Sequence, residues 1–415
     1  MTPAESESLP VTYADIERAR ERLDDESVVK QTPVDRSSSL DDLVGGEVYL
    51  KMEHLQWTGS FKTRGAYNKI SQDVERGIDE FVAASAGNHA QGVALAATNC
   101  GADATIYMPE NAPQAKVDAT RGYGGTVELV GRDFQETMAH AKSVVQDTDA
   151  EFVHAYDDTD IIAGQGTLGT EMYHDCPDAD TVVVPIGGGG LMSGVSTAIK
   201  HLSPETRVVG VQATGAQTVH ESLDKGMPVT LDAVDTIADG IATGGISETT
   251  LRIMRANVDE VVTVSDSEIA QAILLLMERA KQVVEGAGAA SVAAILRDDL
   301  DVSGETVMPL LCGGNLDMTQ LRTVLIHALT DRQQVQRLRI RIDDEPGVMA
   351  EISGIIAGLG ANIHDVRHER SVDDLDVGEA FLVFHVETSG AEHAGAIVDA
   401  IRNADYPVEN IARTS

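Results

Sequence analysis

Along residues 48–330 the chain repeats one order: a short β-rich run, a polar or glycine turn, then a helical period. VYLKME (48–53), FVAASA (81–86), ATIYMP (104–109), TVELVG (126–131), FVHAY (152–156), TVVVPI (181–186), RVVGVQA (207–213), EVVTVS (260–265) and VMPLLC (307–312) read as strands. Near-continuous apolar strands separated by helices are the mark of parallel α/β sheets wrapped on both faces. Nine strands are many for one sheet, so the pattern predicts an α/β fold of two lobes with a crevice between them.

The style changes after LTDRQQVQRLRIRIDDEPG. Residues 331–337 are polar and charged, as in a linker, which bounds a first domain at 1–330 and a second at 338–415. RLRIRI alternates with period two, placing Leu338, Ile340 and Ile342 on one face. Pro346 and Gly347 open a helix whose apolar positions Val348, Ile352, Ile355, Ile356 and Leu359 share a face, and Gly360 stops it. ANIHDVRHERS and EAFLVFHVET read as strands, AEHAGAIVDAIRNA as a helix and PVENIA as a last short strand. This βαββαβ order predicts a ferredoxin-like domain.

Composition narrows the class. The chain of 415 residues carries 31 basic against 67 acidic side chains, a formal charge of −36, so nucleic acid and anionic membranes are excluded as partners. Only 9 of the basic residues are Lys, against 22 Arg. Acidity with few lysines suits a salt-rich, halophilic cytoplasm, where the Debye length of ~3 Å at 1 M screens self-repulsion. The 38 glycines point to close backbone approaches. Cys100, Cys176 and Cys312 form no CxxC, so neither a disulfide framework nor a zinc site is expected. The stretch MTPAESESLP lacks a signal pattern and no apolar run approaches ~18 residues, so the expected location is cytoplasmic.

Against so few lysines, Lys62 in WTGSFKTRGAYNKI stands just ahead of a helical segment. Alone it reads equally as a solvated side chain. Three backbone devices change its company. PIGGGGLMSG (185–194) joins a strand to a helix with four glycines whose amides can converge on an anion. No frame of it supplies the dinucleotide spacing, so it suits a single phosphate. SAGNHAQG (85–92) is a second such junction, offering Ser85 and the amides around Asn88 to a carboxylate or phenolate oxygen. In LLCGGNLDM (310–318), Cys312 ends a strand ahead of two glycines, where a buried apolar thiol is the plainer reading. A phosphate cradle, an anion loop and a lone lysine together suggest pyridoxal phosphate.

GSFKTRGA, SAGNHAQG, GGGGLMSG and CGGN, in order and spacing, make residues 12–325 resemble the fold-type II pyridoxal-phosphate enzymes, specifically the threonine dehydratases (threonine ammonia-lyases) and the related serine dehydratases and racemases. The resemblance implies two tryptophan synthase β-like lobes, the smaller within roughly 50–155, and the cofactor in their cleft. It implies that Lys62 is the Schiff-base lysine and Cα base, and that Gly187, Gly188, Gly189, Gly190 and Leu191 hold the phosphate. Asn88 would bond the ring 3′-oxygen, Phe61 pack beside the ring, and Ser85 with the amides near Asn88 and His89 take the substrate carboxylate. Gly240 would line the cofactor, Glu285 sit near the ring and hydroxyl side, and Cys312 face the pyridine nitrogen.

Departures from the family pattern matter too. Cys312 stands where a serine is usual, and a thiol is a weak donor. Ala86 stands where racemases place a serine, which favours dehydration over racemisation. Gln212 replaces an acidic residue used for a cation, so no metal is assigned.

The last 80 or so residues resemble an ACT domain through DEPGVMAEI and LGANI, with Pro346, Gly347 and Asn362 as candidate effector contacts. The resemblance implies a homo-oligomeric (dimer or tetramer), regulated threonine dehydratase of isoleucine biosynthesis, taking an amino-acid effector. Alternatives carried alongside are a serine or hydroxyaspartate dehydratase, a serine racemase, and an amino-acid sensor with a degenerate cofactor site.

Overall fold

The computed structural model describes residues 9–372 and 374–411. The N-terminal stretch examined for a targeting signal falls largely outside the described residues, as does Ala412 of PVENIA. The chain divides into two compact units after Leu316.

The described residues of the first unit hold ten strands in two sheets. They are β1 (Val34–Arg36), β2 (Glu47–Lys51), β3 (Glu80–Ala84), β4 (Asp103–Met108), β5 (Thr126–Leu129), β6 (Glu151–Phe152), β7 (Thr181–Pro185), β8 (Arg207–Ala213), β9 (Glu260–Val264) and β10 (Thr306–Pro309). The larger sheet runs β1-β2-β10-β7-β8-β9 and the smaller β5-β4-β3-β6. All neighbours are parallel except β1, which pairs antiparallel with β2. Every residue of β7 is buried, as a central strand covered by helices on both faces must be.

Eight of the nine expected strands are present. β1 is an addition, and of FVHAY only Phe152 lies in a strand, the two-residue β6. After one further ladder bond, from Val153 N to Val82 O, the chain leaves the sheet. Its carbonyls are then free for side chains.

The glycines act where helices meet. A Cβ on Gly194 would lie 2.5 Å from the backbone nitrogen of Gly166, and one on Gly169 would lie 2.7 Å from the Val195 carbonyl. The helices Thr159–Asp175 and Gly190–Leu202 therefore pack backbone to backbone behind the larger sheet.

In the second unit, helix Met318–Asp331 is followed by β11 (Val335–Asp343), helix Val348–Gly358, β12 (Asn362–Glu369), β13 (Glu379–Glu387), helix Ala391–Asn403 and β14 (Val408–Asn410). The polar 331–337 stretch is largely absorbed, since Asp331 ends one element and Val335 opens the next. The sheet is antiparallel in the order β12-β13-β11-β14. Leu338, Ile340 and Ile342 face the core with Ile352, Ile356, Phe384, Ile397 and Ile401. Leu359 does not join that face and is exposed, because the helix ends one residue before it and Gly360, at φ +83°, turns the chain away.

Candidate active site

Lys62 opens the helix Lys62–Glu75, and its first turn is set by the neighbouring CGGN loop: Phe61 N–H donates to the Cys312 carbonyl at 3.3 Å. The Lys62 ammonium donates to the Ala155 carbonyl at 3.1 Å and lies 5.0 Å from the centre of the Phe61 ring. Loss of water lowers the amine to about 8, against weaker upward pulls from Cys312 and Glu285. A sizeable neutral fraction is therefore present near physiological pH. Gly92 makes the placement possible, since a Cβ there would come within 3.1 Å of the Lys62 backbone and Cβ.

Tyr156 follows Ala155 and underlies the glycine loop. Cβ atoms on Gly188 and Gly190 would lie 2.3 Å and 2.9 Å from Tyr156, while Gly189 adopts φ +90°, which favours glycine. Thr250 Oγ donates to the Gly188 carbonyl at 3.0 Å and fixes the loop from outside. Among the described residues, no hydrogen bond within the chain uses the amides of Gly187, Gly188 or Gly189. Those of Gly190 and Leu191 belong to the first turn of a helix, where N–H groups lack intrahelical partners. Five adjacent unspent donors suit one phosphate.

Asn88 begins the helix Asn88–Cys100, and its Nδ2 donates to Glu285 Oε1 at 2.7 Å. Burial raises the Glu285 carboxyl to about 7, although the Asn88 bond pulls the other way. Gly240 and Gly313 flank it; a Cβ on either would approach Glu285 Oε1 to 3.0 Å or 2.2 Å. Burial also pushes the Cys312 thiol up, so it stays protonated. Ser85 Oγ accepts from Gly87 N–H at 3.2 Å. The His89 ring is turned to the Val153 carbonyl at 2.8 Å; burial first, then Lys62, lowers it to about 3, so it is neutral. Only its backbone amide, not its ring, is left for an anion.

The structure thus joins Lys62, Phe61 and Cys312, joins Asn88, Glu285 and Gly240, and sets the glycine loop on the segment that holds Lys62. Gln212 is consumed locally, accepting from Thr218 and Val219 N–H at 2.9 Å each. Among the described residues no group of three His, Cys, Asp or Glu is placed to hold a metal. Pro346, Gly347 and Asn362 lie in the second unit. All three are exposed, with Gly347 at φ +105° and Asn362 Nδ2 3.4 Å from Glu387 Oε2.

Two neighbours escaped the sequence reading. Tyr156 sat in an expected strand, and Asn315 closes CGGN. The presence of Asn315 in a motif already singled out was the available signal.

An amine short of water can attack an aldehyde, and unspent amides can grip a phosphate; pyridoxal phosphate carries both groups. The two-sheet unit is therefore a pyridoxal-phosphate enzyme by architecture and by donor set. Residues 26–313 match the family described as pyridoxal-phosphate dependent enzyme, and residues 336–404 match the ACT domain. The chain belongs to the pyridoxal-phosphate-dependent enzyme family, specifically its fold-type II members, and carries an ACT domain. It is 44% identical to the L-threonine ammonia-lyase of Thermotoga maritima over 402 residues, 96% of this chain and 99% of the relative. Among solved structures, the processed threonine deaminase isoform 2 of Solanum lycopersicum matches with TM-score 0.73 and 35% identity, over 76% of this chain and 92% of that one. Maize serine racemase matches with TM-score 0.72 and 34% identity, over 78% and 99%.

Proposed function

We propose that the chain converts L-threonine to 2-oxobutanoate and ammonia, and that an amino acid bound at the ACT domain adjusts the rate. The observation that carries this reading is the Lys62 amine, held at about 8 beside the glycine loop and the Asn88–Glu285 pair. Near-full-length likeness to a named threonine ammonia-lyase supports threonine as the substrate.

When bound, pyridoxal phosphate supplies an aldehyde that joins the substrate amine and a ring that acidifies the Cα hydrogen. Gly187 to Leu191 would hold its phosphate, Phe61 its ring face, Asn88 its 3′-oxygen, and Cys312 its ring nitrogen. Gly240 leaves room on the side of Glu285. Ser85 and the amides of Asn88 and His89 would take the substrate carboxylate, which points the Cα hydrogen at Lys62. The neutral Lys62 amine takes that proton; positioned base catalysis of this kind contributes roughly 10²–10⁴-fold. The β-hydroxyl leaves as water, its added proton balanced by the one Lys62 took from Cα, and a second water then hydrolyses the product to release ammonia. A protonated Cys312, and no carboxylate, would face the ring nitrogen, which disfavours transamination. Ala86 offers no second proton donor, which disfavours racemisation.

The ACT domain supports a place in isoleucine supply, with feedback at Pro346, Gly347 and Asn362 in a homo-oligomer. The charge of −36 supports work in a salt-rich cytoplasm, and the thermal midpoint is expected to rise in molar KCl. No rise would remove the halophilic reading. The decisive assay measures 2-oxobutanoate from threonine and pyruvate from serine, with and without isoleucine, valine or leucine. A preference for serine would replace the proposed substrate, and indifference to every amino acid would remove the regulatory role.

A further inference from the structure

We propose that Asn315 is a positioning residue that fixes which way the Asn88 side-chain amide faces, so that Asn88 presents an N–H to the cofactor's 3′-oxygen. The inference rests on the reading of Asn88 given under Proposed function.

Which end of an Asn side chain is nitrogen is decided by its partners, and here one partner is unambiguous. Asn315 Nδ2 lies 2.7 Å from the Thr58 carbonyl, which can only accept. Turned over, Asn315 would set oxygen against oxygen at that distance. Its second N–H goes to Asn88 Oδ1 at 2.8 Å, and Gln91 Oε1 is a distant third at 3.5 Å. Asn88 Oδ1 is therefore committed as an acceptor, and Asn88 Nδ2 must face the other way. One of its protons reaches Glu285 Oε1 at 2.7 Å, and the second remains for a further acceptor.

Glu285 could not impose this direction by itself. Its carboxyl is raised to about 7, so near neutral pH it both donates and accepts, and a reversed Asn88 would satisfy its protonated form. The Thr58 carbonyl has no such second state. It stands four residues before Lys62 in sequence, so the backbone that places the lysine also sets the polarity of the cofactor's oxygen partner. Asn315 has little freedom to turn: Gly59, at φ +70°, lies so close that a Cβ there would be 2.5 Å from Asn315 Oδ1.

An N–H at the 3′-oxygen favours the ionised oxygen, so the ratio of the holoenzyme's two long-wavelength absorbance bands reports the direction of Asn88 without substrate. Asn315→Ser is expected to move that ratio about three- to tenfold, the weight of one hydrogen bond, in the same sense as Asn88→Ala. The double variant should move it no further than Asn88→Ala alone. A ratio unchanged in Asn315→Ser, with only the thermal midpoint of the cofactor-free chain lowered, would reduce Asn315 to a structural residue and overturn the proposal. Additive shifts in the double variant would overturn it too. If Asn315→Ser folds poorly, Gly59→Ala pushes the same side chain from its other flank and must shift the ratio in the same sense, or the proposal fails. No threonine turnover by the wild-type chain, with these shifts intact, would count against the substrate only. A wild-type chain lacking both bands would instead overturn the reading of the site.

Discussion

The Arg64 guanidinium grips Glu53 with both arms, Nε to Oε1 at 2.6 Å and Nη2 to Oε2 at 3.0 Å, two residues beyond Lys62. Glu171 takes two more of its N–H groups at 2.6 and 2.9 Å, and Lys51 joins Glu171 and Asp175 at 3.0 and 2.8 Å. Burial opposes a charge on Arg64, but the Glu53 and Glu171 carboxylates hold its pKa above the ordinary arginine value. The cluster ties the first turn of the lysine's helix to the Glu53–Leu55 turn and to helix Thr159–Asp175. Arg64→Met leaves the buried Glu53 without a cation, while Glu171 keeps Lys51, and is expected to cost about 3–5 kcal/mol of stability, read by denaturant unfolding. Arg64→Lys should recover only part of this, since an ammonium cannot match the fork. Full recovery by lysine would show that charge alone matters.

Lys62 itself makes a prediction for the cofactor-free chain. A lysine lowered from 10.5 to about 8 on folding binds more protons when unfolded, so its cost is full below about pH 8 and fades as pH climbs to 10.5. Lys62→Met should be more stable than the parent at pH 7, by at most about 3 kcal/mol. The gap should close between pH 8 and 10.5 in pH-resolved thermal melts. A gap independent of pH would mean the amine is well hydrated.

Gly188→Ala drives a methyl group into the Tyr156 ring, 2.3–2.4 Å away. Overpacking of this kind costs about 1–3 kcal/mol, so affinity for pyridoxal phosphate should fall about tenfold or more. Because the clash is with a side chain, Tyr156→Ala on the same background should restore part of the loss in equilibrium titrations. No recovery would place the effect in the loop backbone.

Much of the fold was legible because parallel strands buried on both faces leave long apolar runs, and nearly all the expected ones became strands. β1 was not, since VDR at an antiparallel edge has neither length nor period. The strand order was also hidden: β10 is last in the unit yet inserts between β2 and β7, which no local pattern encodes. At the site, the glycine loop and Lys62 stood out because their residue types are costly elsewhere. Arg64 and Asn315 did not, because an arginine or asparagine in sequence reads as solvated until its partners, up to 257 residues away, are known. FVHAY failed as a strand for a similar reason. Its carbonyls serve His89 and Lys62 rather than a neighbouring strand.

The central claim is that Lys62 is the cofactor-bearing amine. Borohydride reduction of the holoenzyme followed by peptide mass spectrometry tests it directly. A single phosphopyridoxyl mass addition is expected on the peptide containing Lys62, absent in Lys62→Ala. The same addition on another of the 9 lysines, or its persistence in Lys62→Ala, would contradict the account.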